Sequence, residues 1–288
     1  MLKRLLATLV LAALPSAVAA TYPLTVKDDL GRNVTLRAEP KRIVSLVPSH
    51  TETVYAVAAG SRLVGRDDYS NYPADALKVP AVGGLYNPNL EAILAAKPDL
   101  VLASEYSGDL VKALEKANVT VWAGGAQSFQ DIFKTISDIG LLLGQEAEAA
   151  RLNSSIRRDV RTVEIITAKL PKTPVYYEID PTPYSVGPNS YLGVLLDKAG
   201  GKTIVPAALG DFPKISPELV VSANPSVIIG TSRDEVAKRA GWSAVTAVKR
   251  NRVYTLTREQ DDIVSRAGPR VGQALRILAR LLHPGLFR

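Results

Sequence analysis

Residues 89–103 read NLEAILAAKPDLVLA, and residues 216–230 read SPELVVSANPSVIIG. Superposed without gaps, they share Glu91/Glu218, Ala96/Ala223 and Pro98/Pro225, and apolar residues face apolar residues at most other positions. Each copy opens on a residue that caps a helix N-terminus, Asn89 or Ser216, and Pro217 suits a first helical position. The residue before a proline is pushed out of the helical region, so each helix stops near Pro98 or Pro225. The segments that follow, DLVLA and SVIIG, are continuously apolar, as strands of a parallel sheet covered on both faces are. One unit (capped helix, proline stop, buried strand) is therefore written twice.

Around each copy the same alternation continues. In the first half, residues 21–36 alternate about Asp29-Leu30-Gly31 and predict a β-hairpin. RIVSLVP (42–48) predicts a buried strand, followed by a helix in SHTETVYAVAAG with a Ser49/Glu52 capping box and Gly60 as terminator. RLVG (62–65) and VTVWAG (119–124) predict further strands, and SFQDIFKTISDIGLLLG an amphipathic helix capped by Ser128 and closed by Gly144. In the second half, TPVYYEI, SVIIG and RVYTL (252–256) predict strands, and SYLGVLLDKAGG and PRVGQALRILARLL predict helices. Between the halves, Gln145 to Leu170 contains no Gly and no Pro and many charges. It predicts one helix of about 39 Å, with a thin apolar face suited to lying across the outside of the molecule.

The fold class is therefore α/β, with two Rossmann-like α/β lobes joined by a single long α-helix and a ligand cleft between the lobes. The expected boundaries are a signal peptide at 1–20, an N-terminal lobe with its hairpin at 21–144, the linking helix at 145–170 and a C-terminal lobe at 171–288.

Composition narrows the function. The first twenty residues, MLKRLLATLVLAALPSAVAA, carry a basic start, an apolar centre too short to span a bilayer and a small-residue ending, which is the pattern of a secretory signal peptide. The chain has no cysteine, which excludes disulfides, thiolate metal sites, a cysteine nucleophile and lipid attachment to an N-terminal cysteine; the expected location is a periplasm. Removing Lys3 and Arg4 from 35 basic residues, against 28 acidic ones, leaves a net charge of +5. The charges are scattered, without the concentrated basic stripe of a nucleic-acid binder.

Catalytic motifs are missing. Two histidines, His50 and His283, are present, with no His-x-x-x-His pair, no Walker loop, no G-x-G-x-x-G after a strand and no G-x-S-x-G elbow. No catalytic residue, metal site or resident cofactor is assigned. Aromatic and proline residues gather instead in DDYSNYP (67–73), GGLYNP (83–88), EIDPTPYSVGPNSY (178–191) and GDFP (210–213). Stiff loops that present aromatic faces suit a large ligand held without being changed, whereas each aromatic taken singly also suits packing against its own lobe.

These stretches together, PKRIVSLVPSHTE, DDYSNYP, NLEAILAAKPDLVLAS, the linking helix, ISPELV and RAGPR, resemble the class III periplasmic substrate-binding proteins of ABC importers, which bind cobalamin, haem or iron-siderophores. The resemblance runs in order along the chain beyond the first twenty residues and is greatest to the cobalamin-binding members. It implies a non-enzymatic, monomeric protein that hands cobalamin to inner-membrane permease subunits. It also implies ligand contacts from Tyr69, Tyr184 and Phe212, and from the Asp262–Arg266 pair. Tryptophans of the pattern are replaced by Leu85, next to Tyr86, and by Ser104, which leaves open a different hold on a corrin or a different ligand. A haem cargo implies Tyr86 or His50 as axial ligand, although a packing tyrosine and a neighbour of a helix cap are equally ordinary roles. A ferric siderophore implies arginines in the cleft, for which Arg66 and Arg266 are the candidates.

The repeated glutamates have two readings. A carboxylate in the first turn is favoured by the helix dipole by about 0.3–1 kcal/mol, which accounts for either residue alone. The resemblance implies that Glu91 and Glu218 stand on the two lobe tips and dock onto arginines of the permease.

Overall fold

The computed structural model describes residues 21–84 and 87–287; the expected signal peptide, Leu85 and Tyr86 lie outside them. An antiparallel hairpin of β1 (Leu24–Lys27) and β2 (Asn33–Leu36) precedes the first lobe. That lobe is built on β3 (Ile43–Ser45), β4 (Leu63–Arg66), β5 (Leu100–Ala103) and β6 (Val121–Ala123), all parallel, in the order β4-β3-β5-β6. Its helices are α1 (Pro48–Ala56), α2 (Leu90–Ala95), α3 (Gly108–Lys116) and α4 (Asp131–Leu142). Every residue of β3, β5 and β6 is buried, as strands with helices on both faces must be.

The long helix α5 runs over Glu146–Thr167. Its 22 residues span about 33 Å; the expected start at 145 is the N-cap, Gln145, whereas the helix ends at Thr167 with Ala168 as C-cap, three residues short of the expected end at 170. Ala149, Ile156, Val160 and Val163 form its buried stripe, which packs on α4 of the first lobe and on the terminal helix of the second.

The second lobe contains β7 (Thr173–Asp180), β8 (Tyr184–Ser185), α6 (Tyr191–Lys198), β9 (Gly201–Thr203), α7 (Pro217–Ala223), β10 (Val227–Ile229), α8 (Arg233–Ala237), α9 (Thr246–Lys249), β11 (Val253–Tyr254), α10 (Arg258–Ser265) and α11 (Val271–Leu282). Strands β9, β7, β10 and β11 are parallel neighbours, and β8 pairs antiparallel with the end of β7.

The two copies of the repeat fold alike. Asn89 accepts a hydrogen bond from the Ala92 amide and Ser216 from the Leu219 amide. Lys97 and Asn224, each just before its proline, take positive φ of 48° and 47°, so each helix ends in a left-handed residue before an interior strand. The copies differ at their last position. Gly230 has φ +94°, and a Cβ there would lie 2.0 Å from the Glu178 carbonyl oxygen; Ala103 fills the equivalent place in the first copy.

One expectation is overturned. Ser49 and Glu52 form no capping box: the N-cap of α1 is Val47, Pro48 is the first helical residue, and no side chain caps the helix. Helix α1 ends at Ala56 rather than at Gly60, which begins a short 3-10 turn. Glu52 is turned inward and buried, for a reason that belongs to the cleft.

Candidate functional site

The carboxyl ends of the parallel strands in the first lobe face the second lobe. Val47-Pro48-Ser49 after β3, Ser104-Glu105 after β5 and Gly124–Gln127 after β6 line a cavity of about 330 Å³, closed on the other side by Tyr191, Phe212 and Ser265–Ala267. A second cavity, of about 430 Å³, adjoins it at Ser265 and lies over the carboxyl ends of β7 and β10, lined by Tyr177, Glu178, Gly230, Arg258 and Asp261 among others. Strand carboxyl ends are where open α/β sheets take their ligands, and here those of both lobes open onto one cleft.

The lobes are tied together along one side of the cleft by ions. Arg270 donates from Nε to Glu52 Oε2 at 2.8 Å and from Nη2 to Glu52 Oε1 at 2.6 Å. Arg266 Nη1 donates to Glu52 Oε1 at 3.0 Å and to Asn71 Oδ1 at 2.9 Å, while its Nη2 donates to the Tyr69 carbonyl at 3.1 Å and pairs with Asp262 at 2.8 Å. Asn71 closes the ring by donating to Asp262 Oδ2 at 2.8 Å, and the Arg270 guanidinium lies 4.2 Å from the Tyr72 ring centroid. Two arginines and an aspartate of the second lobe thus hold a buried glutamate and a loop of the first. The loop is held from below as well: the Asp67 carboxylate accepts from the Tyr69 amide at 2.9 Å and from the Ser70 hydroxyl, and Ser70 Oγ lies 2.7 Å from Thr51 Oγ1. Burial pushes the Asp67 carboxyl above its usual range against those hydrogen bonds.

Of the residues expected at the ligand, Phe212 and Arg266 line the cavity directly. Asp262 and Tyr69 stand one bond away through Arg266, and the Tyr69 ring is exposed. Tyr184 is exposed on β8, bridged to Lys214 two residues from Phe212. Arg66 points its Nη1 at the carbonyls of Asp67 and Asp68, not into the cavity. Leu85 and Tyr86 lie outside the described residues. His50 sits within α1, wholly buried, its ring centroid 5.6 Å from that of Trp122. It lies behind the cleft floor: a Cβ on Gly125 would be 3.8 Å from His50 Nε2. Burial lowers its imidazole to about 4. In this arrangement it presents no nitrogen to a ligand. Glu91 and Glu218 are both exposed at the second position of their helices, and neither takes part in an ion pair among the described residues. Because α2 and α7 run antiparallel to the strands they feed, both helix starts lie at the carboxyl-end level of β5 and β10, the level of the cleft.

Residues 43–259 match the profile of the family described as Periplasmic binding protein. The chain belongs to this family, the class III periplasmic binding proteins of ABC importers. Its members are the substrate-binding components of transporters rather than enzymes, and they work with importer permeases. This periplasmic binding protein is 35% identical over 280 residues to the ABC transporter substrate-binding lipoprotein YvrC of Bacillus subtilis, covering 93% of this chain and 88% of that one. It is 28% identical over 279 residues to a cobalamin-binding protein of Halobacterium salinarum, covering 92% and 75%. Among solved structures it resembles the periplasmic heme-binding protein RhuT of Roseiflexus sp. RS-1, with a TM-score of 0.75 and 25% identity over 85% of this chain and 98% of that one. Among the described residues no helix is long and apolar enough to cross a membrane.

The sequence reading missed Glu52, Asn71, Arg270, Glu105 and Gln127. The signal for Glu52 was present: a glutamate on the inward face of a helix that follows a buried strand needs a cation, and RAGPR supplied two arginines. For Glu105 the signal was its place two residues past the end of a buried strand, the end of an open α/β sheet at which ligands bind.

Proposed function

We propose that this periplasmic binding protein captures cobalamin in the interlobe cleft and delivers it to an ABC import permease. The observation that carries this reading is that Phe212 and Arg266, the latter paired with Asp262, line one interlobe cavity, while the Tyr69 and Tyr184 rings are exposed outside it. A broad, flat macrocycle with polar side arms matches apolar faces flanked by a few placed polar groups. The likeness to a cobalamin-binding protein over 92% of the chain supports the same reading. In this proposal residues 21–144 and 171–288 act as the two lobes, 145–170 as the stiff link between them, and the protein works as a monomer in the periplasm after losing residues 1–20. Gel filtration of the protein with an equimolar mixture of cyanocobalamin and hemin tests the cargo. Cyanocobalamin is expected to co-elute with the protein. Capture of hemin instead, lost in Tyr86→Phe, moves the cargo to haem.

Glu91 and Glu218 are proposed as the permease contacts. Both are exposed, both are free of ion pairs among the described residues, and each occupies the same helical position in its lobe. Two separated charges fix orientation and speed encounter more than they add affinity. Glu91→Ala/Glu218→Ala is expected to leave cobalamin affinity unchanged. It should weaken association with the reconstituted permease about tenfold, the sum of two exposed ion pairs of ~0.7 kcal/mol each. Unchanged association contradicts the assignment.

A further inference from the structure

We propose that Glu105 sets the charge selectivity of the cleft, favouring a ligand that donates hydrogen bonds, such as one rimmed by amides, and rejecting one that carries carboxylates. The proposal rests on the cobalamin reading and deepens it. Glu105 stands two residues after the end of β5 and lines the cavity with Arg266, the two charged residues there. The arginine's charge is already met, since Glu52 and Asp262 together face Arg266 and Arg270. In the adjoining cavity Glu178 is bound by Arg239 through both terminal guanidinium nitrogens, and Arg258 and Asp261 line it as one charge of each sign. Glu105 has no ion pair among the described residues, so the uncompensated charge lining that first cavity is its own.

Its carboxylate is held rather than loose. Oε2 accepts from the Ser104 hydroxyl at 3.2 Å and lies over the cleft floor, 3.3 Å from where a Cβ on Gly125 would stand. Oε1 accepts from the Gln127 side-chain amide, whose own oxygen accepts from the Tyr106 hydroxyl at 2.9 Å. An ionised carboxylate offers about four acceptor sites, and the protein fills two. The remaining pair suits N–H groups of a primary amide on a ligand held against Phe212. A propionate brought to the same place meets a like charge in a partly desolvated cleft, where the cation lining that cavity, Arg266, is already paired with Glu52 and Asp262.

The test compares wild type and Glu105→Gln on ligands that differ in one group: cyanocobalamin, and cyanocobalamin with one propionamide hydrolysed to the acid. Wild type is expected to bind the acid about tenfold more weakly than the amide, ~1.4 kcal/mol, and Glu105→Gln to bring the two within about twofold. A ratio that is the same in the two proteins overturns the proposal. Failure of the cargo reading has a different signature, since wild type then binds neither corrinoid. In that case the charge claim is read from hemin, whose two propionates should bind Glu105→Gln at least about threefold more tightly than wild type, and an equal affinity overturns it.

Discussion

Glu52→Ala is expected to lower the unfolding free energy by about 3–5 kcal/mol, the loss that follows when one partner of a buried ion pair is removed. Glu52 is 3% exposed and Arg270 6% exposed, and three charge-assisted hydrogen bonds reach the carboxylate from two arginines. Without it, Arg270 keeps the Tyr72 ring but no anion among the described residues, and Arg266 keeps Asp262 as its anion together with Asn71 and the Tyr69 carbonyl. The melting temperature should fall by roughly 10 °C, at 2–4 °C per kcal/mol for a chain of this size. Because the pair joins α1 of one lobe to α11 of the other, amide exchange should rise first at this contact and in the Asp67–Pro73 loop that Arg266 holds. Replacing the pair together, as Glu52→Leu/Arg270→Met, should recover much of the loss, since the unpaired charge rather than the missing attraction is the larger cost. A loss below about 1 kcal/mol in Glu52→Ala contradicts the account of this contact.

Acidification is expected to destabilise the protein through His50. Its imidazole titrates near 4 in the folded protein because burial excludes the charged form, against an ordinary value of about 6.5 when unfolded. Above pH 6.5 both states are neutral and the residue contributes no pH dependence. As pH falls through 6.5 the unfolded chain takes up a proton that the folded chain refuses, so stability drops until pH approaches 4. By pH 5 the drop amounts to about 2 kcal/mol. His283, also lowered by burial, adds in the same direction. Asp67, Asp138 and Asp261, raised by burial, act oppositely as pH rises through their titration range. The difference between wild type and His50→Phe therefore isolates the histidine. Denaturant melts at pH 7.5 and pH 5 should show a steeper loss in wild type than in the variant. Parallel losses contradict the assignment.

Much of this fold is legible from local patterning. The continuous apolar runs of β5 and β10, with Asn89 or Ser216 ahead and a proline between, specify a capped helix feeding a covered parallel strand. The absence of Gly and Pro over 145–170 specifies the linking helix, which starts one residue after the expected start and ends three residues before the expected end. Less legible was Glu52. A serine and a glutamate three apart before a helix satisfy the capping-box pattern, but Pro48 starts the helix earlier and turns that glutamate inward. The deciding partner, Arg270, lies 218 residues away, a distance at which no local pattern operates. The cleft was legible in part for the same reason. Loop composition and resemblance pointed to Phe212 and Arg266, which line the cavity. That Arg266 is spent on holding the lobes together, leaving Glu105 as the uncompensated charge, depends on contacts between segments far apart in the chain. His50 stands near a helix cap as expected, in the first turn of α1, and is packed behind Gly125 against Trp122. Its burial follows from the tertiary contact of α1 with β6, not from its neighbours in sequence.

The central claim is that the cleft between the lobes holds a corrinoid, and calorimetric titration of the protein with cyanocobalamin tests it most directly. The account predicts saturable binding of one corrinoid per chain with a dissociation constant on the order of micromolar or tighter, weakened about tenfold or more in Phe212→Ala. A folded protein that gives no binding heat with cyanocobalamin, or an affinity indifferent to Phe212, contradicts it.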